Sequence, residues 1–323
     1  MSHCRTMTHM PTHTLARPQA KFADPHLTLT GERRARVAPV RLETLWFNTG
    51  TLCNLACAGC YIESSPTNDA LVYLTASEVT RFLDEAAEMD LATVGFTGGE
   101  PFMNPEMPAM LADALGRGLD VLVLTNAMRP MQRPHVLDAL RELKAAHGHR
   151  LALRVSLDHY TQGLHEEIRG PRSWAPAIAG LRLLAREGFA LTVAGRTLSG
   201  EPEDAIRQGF AGLFADTGIG LDAMDPHALV LFPEMDETAD VPEITTACWS
   251  KLGVAPQDQM CATSRMVIRR RGSRAATVAA CTLITKDPQF ELGESLREAW
   301  RPVSLNHPHC ARFCVLGGAT CTG

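Results

Sequence analysis

Six short apolar runs alternate with five stretches of helical periodicity, and that alternation constrains the fold more than any other feature of the chain. The runs lie at 41–47 (RLETLWF), 91–96 (LATVGF), 120–124 (DVLVL), 151–157 (LALRVSL), 190–197 (ALTVAGRT) and 228–232 (ALVLF). Between them, residues near 76–90, 105–117, 133–147, 173–187 and 202–215 repeat apolar positions at helical spacing. The first helical stretch opens with TASE, which places Thr75 as N-cap and Glu78 as the reciprocal partner of a capping box. Strands separated by helices are joined by crossovers, so neighbours run parallel. An α/β fold follows, with pattern alone leaving open a doubly wound sheet, a partial barrel or a complete one. A dinucleotide-binding fold would place a glycine-rich turn after its first strand. Here a cysteine loop follows instead, and GIGLDA at 218–223 comes after a helix and reads as a plain turn.

The alternation ends near residue 256. SRMVIRRR (264–271), Gly272-Ser273 and RAATVAACT (274–282) read as a β-hairpin, followed by a short helix near 292–300 and a cysteine-rich tail. A boundary is therefore expected in GVAPQDQ at 253–259, giving a core over 39–255 and a small C-terminal domain over 256–323. Residues 1–38 are polar, carry several Pro and His residues, and are expected to form a mobile tail with a short strand near its end. The net charge of −5 offers no electrostatic case for nucleic acid or a membrane surface. No apolar run approaches the ~20 residues of a membrane-spanning helix, and the N-terminus lacks a signal-peptide core. A cytoplasmic protein is the default expectation.

Ten cysteines are many for such a protein, where thiol clusters more often mean metal or catalysis than disulfides. Cys53, Cys57 and Cys60 fall in LCNLACAGCYIES at 52–64; Cys261, Cys281, Cys310, Cys314 and Cys321 form a second group; Cys4 and Cys248 stand apart. Thiolates suit zinc or iron–sulfur clusters. Structural zinc sites are usually closed by four ligands from paired CxxC knuckles, whereas this spacing is CxxxCxxC with no fourth Cys or His nearby. A [4Fe–4S] cube held by three thiolates would leave one iron open to another ligand. Directly after the second apolar run comes Thr97-Gly98-Gly99-Glu100-Pro101. Paired glycines there would let backbone approach a ligand closely, and the carboxylate could meet an ammonium.

Cys53-x3-Cys57-x2-Cys60 after the first strand, with GGEP after the second, resembles the radical S-adenosylmethionine (radical SAM) enzymes. Ser156-Leu157-Asp158 and His165-Glu166-Glu167-Ile168-Arg169-Gly170 resemble the SLD…H…IRG passage of its sulfatase-maturing and peptide-modifying branch. The resemblance covers about 41–235 and implies a partial (β/α)6 TIM-like barrel. It implies that Cys53, Cys57 and Cys60 hold a [4Fe–4S] cluster whose fourth iron is chelated by S-adenosylmethionine. Gly98, Gly99 and Glu100 would receive the amino group of that ligand; Ser156, Asp158 and Arg196 would meet its ribose and carboxylate, with Arg169 a weaker carboxylate candidate. Thr125 and Asn126 face the same mouth. The family often has an aromatic residue immediately before the third cysteine; this chain has Gly59, with Tyr61 just after it available for adenine packing. The implied reaction is reductive cleavage of S-adenosylmethionine to a 5′-deoxyadenosyl radical that abstracts hydrogen from substrate, with a flavodoxin- or ferredoxin-type electron donor.

The C-terminal cysteines resemble the auxiliary-cluster modules called SPASM and twitch, in which a hairpin supplies the first ligands. Five cysteines are too few for two four-cysteine sets, so one auxiliary [4Fe–4S] cluster is expected, on Cys261, Cys281 and two of Cys310, Cys314 and Cys321. A structural zinc knuckle, with His307 and His309 in HPHC, is the competing reading. Arg265, Arg269, Arg270, Arg271 and Arg274 form a basic patch, read as a solvated strand edge or as a seat for an anionic substrate or redox partner. Asp222, Asp225, Glu234 and Asp236 are read as surface acidity or as substrate-facing loops. The short segment before the first strand tilts the expected substrate toward a small metabolite or a partner-delivered peptide. The alternative from another class is a non-catalytic iron–sulfur electron-transfer or scaffold protein.

Overall fold

The computed structural model describes residues 20–197, 199–233 and 236–318. A two-residue strand, β1 (Arg36–Val37), precedes an alternating core: β2 (Thr44–Asn48), α1 (Ala76–Ala86), β3 (Thr93–Thr97), α2 (Met107–Gly116), β4 (Asp120–Thr125), α3 (Pro134–His147), β5 (Leu151–Ser156), α4 (Gln162–Arg169), α5 (Trp174–Arg186), β6 (Ala190–Arg196), α6 (Glu203–Thr217) and β7 (Leu229–Phe232). There follow α7 (Cys248–Leu252), β8 (Ser264–Ile268), β9 (Thr277–Ala279), β10 (Glu291–Gly293), α8 (Leu296–Ala299) and β11 (Val303–Ser304).

Strands β2 to β7 pair in chain order and run parallel throughout. Every residue of β2 is buried, as expected of a strand covered on both faces, and Phe47 stacks on Phe96 of β3 with ring centroids 5.5 Å apart. The capping box at α1 forms as its sequence implies: Thr75 Oγ1 accepts from the Glu78 N–H at 3.2 Å, and Glu78 Oε2 accepts from the Thr75 N–H at 2.9 Å. Gly218, in the left-handed conformation at φ 70°, terminates α6, so GIGLDA is a helix stop. The helix α4 was not among the five helical stretches expected; at eight residues it is too short for periodicity to reveal it.

The predicted hairpin forms, with β8 and β9 antiparallel. It is not separate from the core sheet. Strand β8 pairs parallel with β2, and the sheet order is β10-β9-β8-β2-β3-β4-β5-β6-β7, with β7 and β10 at its edges among the described residues. Strand β8 is buried at all five positions, and its apolar residues Met266, Val267 and Ile268 are covered by its joining the larger sheet. Residues 20–38, expected within a mobile tail, are built into the fold. Arg34 is buried, its guanidinium pairs with Glu243 and donates to the Leu27 carbonyl at 2.8 Å, and β1 pairs with β11. A buried arginine needs such a partner, and both members of this pair are nearly inaccessible to water. No described helix is long and apolar enough to cross a membrane.

Candidate active site

The loops that leave the C-terminal ends of the parallel strands converge on one mouth, as parallel α/β architecture requires. The loop after β2 carries Cys53, Cys57 and Cys60, and the turn after β3 carries Gly98 and Gly99. The two are stitched together: the Gly99 N–H donates to the Gly50 carbonyl at 2.8 Å and the Glu100 N–H to the Leu52 carbonyl at 3.2 Å. A Cβ on Gly99 would stand 2.1 Å from the Leu52 carbonyl oxygen, and one on Gly98, at φ 138°, would stand 2.6 Å from that of Gly50. The glycines thus admit the backbone of the cysteine loop itself, a packing demand added to the ligand approach inferred from sequence.

A cavity of about 200 Å³ lies above this junction. Its wall includes Cys53, Cys57, Cys60, Tyr61, Gly98, Gly99, Thr125, Asn126, Ser156, Asp158 and Arg196, so the residues singled out from sequence come together there with one exception. The exception is Glu100, which sits behind the wall. Its carboxylate accepts from the Thr125 hydroxyl at 2.8 Å, the Asn126 N–H at 2.8 Å and the Phe102 N–H at 3.3 Å. Burial pushes the Glu100 carboxyl up to about 7, although these three hydrogen bonds pull the other way. In this geometry the Glu100 side chain is buried and ties the end of β4 to the glycine turn.

Across the cavity, Asp158 accepts a hydrogen bond from Arg169 Nε, and Arg196 Nε lies 3.8 Å from the same carboxylate. Burial opposes ionisation of Asp158, but Arg169 and then Arg196 outweigh it and hold its pKa below the ordinary value. Arg196 also donates to the Gly59 carbonyl at 3.3 Å, and its Nη1 would be 3.7 Å from a Cβ at that position. The guanidinium therefore covers the place immediately before the third cysteine. A second, larger cavity of about 460 Å³ adjoins the first along Ala58, Gly59, Asp158, Ile168 and Arg196, and its wall adds His159 and Asp236. His159 is fixed there by Thr161 at Nδ1 and Glu201 at Nε2, each at 2.9 Å.

Some lining residues escaped the sequence reading. Arg154 is buried on the cavity wall and donates to the Thr192 hydroxyl at 3.1 Å. The signal was present: an arginine inside the apolar run LALRVSL, two residues before Ser156 and so on the same face of the strand. Phe232, Leu283 and Phe313 also line it, the last two from beyond residue 256. No spacing rule links them to the cysteine loop.

The donor set suits a cluster. Burial first, then Glu100 and the two neighbouring thiols, push Cys53 up to about 12, against the Leu55 N–H that donates to its sulfur. Burial likewise raises Cys57, although Arg169 opposes it. Thiols held in this way ionise when a cationic centre takes the charge, which is what metal and iron–sulfur ligation supplies. Among the described residues no three His, Cys, Asp or Glu side chains are drawn together as a single ion would need; the three thiols share a wall.

The C-terminal cysteines form a second group. Cys261, Cys281, Cys310 and Cys314 line one small pocket with His309, and burial raises Cys261 to about 11 and Cys310 to about 12. Cys321 lies outside the described residues, as do Cys4 and Glu234. Cys248 is elsewhere, its sulfur accepting from the Thr245 N–H at 3.3 Å. The expected basic patch is dispersed. Arg265 is buried and donates to backbone carbonyls of Cys261, Ser264, Ala299 and Arg301; Arg269 pairs with Glu78, Arg270 with Glu291 and Arg271 with Asp69. Asp222 and Asp225 accept from nearby backbone N–H groups in surface turns.

Comparison with known proteins agrees with this geometry. The chain is 31% identical over 143 residues to the antilisterial bacteriocin subtilosin biosynthesis protein AlbA of Bacillus subtilis (strain 168), covering 44% of this chain and 30% of AlbA. Matches span only about a third of the length of the first curated relatives. Streptococcus suis SuiB bound to the precursor peptide SuiA superposes with a TM-score of 0.57 at 13% identity, covering 86% of this chain and 66% of SuiB. Native anSMEcpe with bound AdoMet gives a TM-score of 0.57 at 12% identity, with 83% and 82% covered. These likenesses establish the shared partial-barrel fold. Residues 47–208, about half of the chain and including all three cysteines of the first loop, match the family described as the Radical SAM superfamily. On that match, and on the cavity that joins the cysteine loop to the glycine turn, the chain belongs to the radical SAM superfamily.

Proposed function

We propose that this protein is an enzyme that reductively cleaves S-adenosylmethionine and directs the resulting radical at a peptide substrate. The observation that carries the reading is the single cavity shared by Cys53, Cys57 and Cys60, the Gly98–Gly99 turn, and the Asp158, Arg169 and Arg196 group. The three thiols are suited to hold a [4Fe–4S] cluster with one iron left for S-adenosylmethionine. When bound, that pair supplies the electron transfer and carbon radical that no side chain can provide. The chain's own residues bind and orient. The Gly98–Gly99 backbone would receive the amino group, Ser156 and Arg196 would meet carboxylate and ribose, Asn126 would line the mouth beside them, and Tyr61 would pack on adenine. Asp158 holds Arg169 and Arg196 in place.

A peptide substrate is supported by AlbA, named for bacteriocin biosynthesis, and by SuiB in complex with its precursor peptide. Cys261, Cys281, Cys310 and Cys314 are suited to an auxiliary [4Fe–4S] cluster that aids substrate oxidation or binding, and a flavodoxin- or ferredoxin-type protein would reduce the first cluster. Anaerobic reconstitution with iron and sulfide, followed by dithionite and S-adenosylmethionine, tests the reading. The expected product is 5′-deoxyadenosine, absent from Cys57→Ala. A wild-type chain that makes none, or a variant that makes as much, leaves the non-catalytic iron–sulfur reading in its place. An iron content of about eight per chain is expected for two cubes, and about four for one.

A further inference from the structure

The two cysteine sites share wall residues. Leu283 lines both cavities, and its N–H donates to Cys281 Sγ at 3.3 Å. Phe313 lies in the π-helical turn Cys310–Val315, between two thiols of the C-terminal pocket, and is 1% exposed. Its ring stacks on Phe232, the last residue of β7, with centroids 6.0 Å apart and planes 18° apart. All three side chains form wall of the cavity that holds Cys53, Cys57 and Cys60. A turn that supplies ligands on one side and cavity wall on the other cannot adjust one without moving the other, because packed side chains shift together.

We propose that Phe313 and Leu283 are positioning residues: they set the apolar wall of the first cavity, and loading of the C-terminal cysteine site fixes where they stand. The wall then carries the state of one site to the other through the Phe313–Phe232 contact. For S-adenosylmethionine binding, this rests on the proposed S-adenosylmethionine site; the coupling itself rests only on the C-terminal cysteines taking up the proposed second cluster.

The coupling is tested in full-length chain bearing Cys53→Ala, Cys57→Ala and Cys60→Ala, where only the C-terminal site can load. Hydrogen exchange is measured across 228–233 and 282–285 before and after anaerobic loading with iron and sulfide. Loading is expected to slow exchange in both segments by roughly tenfold, as ordering of a local unit does. With Phe313→Ala added, 282–285 should still slow and 228–233 should not; Phe313→Leu, which keeps an apolar side chain and guards against misfolding, should give an intermediate response. Failure to take up iron, unchanged exchange at 228–233 in the parent, or an equal response in Phe313→Ala overturns the coupling. In the chain with all its cysteines, Phe313→Ala should retain wild-type iron and bind S-adenosylmethionine about fivefold more weakly, near 1 kcal/mol. Wild-type affinity there overturns the functional half alone. A wild-type chain that binds no S-adenosylmethionine overturns the proposed function and leaves the exchange result standing.

Discussion

Replacing Gly99 by alanine should separate the two loops that build the first cavity. The added Cβ would stand 2.1 Å from the Leu52 carbonyl oxygen, 2.6 Å from the Leu52 carbonyl carbon and 2.9 Å from the Thr51 carbonyl oxygen. All three are backbone atoms, so no side chain can rotate away. Relief requires the turn after β3 to lift off the cysteine loop, stretching the bonds from the Gly99 N–H to Gly50 and from the Glu100 N–H to Leu52. Two backbone hydrogen bonds at roughly 0.5–1.5 kcal/mol each, with overpacking of roughly 1–3 kcal/mol, put the loss at about 2–6 kcal/mol. Urea unfolding of the metal-free protein measures it directly. Gly163→Ala in α4 is the control, since nothing lies within 4 Å of its Cβ position. It should be neutral or stabilising by up to about 1 kcal/mol. A Gly99→Ala chain within about 0.5 kcal/mol of wild type, inside the range of ordinary surface substitutions, would refute the claim that backbone contact dictates this glycine.

Glu100 has its pKa raised from 4.5 to about 7 in the folded state, so its contribution is full below about 4.5 and is lost as pH rises through about 7. Glu100→Gln should flatten the stability of the metal-free protein over that window, and an unchanged slope would sink the assignment. Arg169→Met leaves the buried Asp158 carboxylate with Arg196 at 3.8 Å and should destabilise by about 3–5 kcal/mol, read by thermal unfolding. Cys248→Ser should leave iron content after reconstitution unchanged, whereas Cys310→Ser should lose about half, the share of one cube in two; equal effects would remove Cys310 from the second site.

Local chemistry explains which parts were legible beforehand. The strands from β2 to β7 are short, apolar and bounded by turns, so periodicity located each of them within a few residues. The capping box at Thr75 was readable because both partners lie within four residues. Arg169 shows the limit: its sequence context allowed a helix tie or a ligand contact, and only its pairing with Asp158, eleven residues earlier, separates it from its own helix. Glu100 shows the same limit. A carboxylate after two glycines looks available until the Thr125 hydroxyl and the Asn126 N–H, contributed by the next strand, are seen to occupy it.

By itself the sequence determined the α/β alternation, the three-cysteine loop, the glycine turn and the existence of a second thiol group, since each is written in residues that are near neighbours along the chain. Tertiary structure decided that β8 extends the core sheet along β2, that residues 20–38 are tied down by Glu243, and that Leu283 and Phe313 reach the first cavity. Those outcomes depend on contacts between segments some 200 residues apart, where burial of apolar surface and pairing of buried charge choose the partner and no local pattern records the choice.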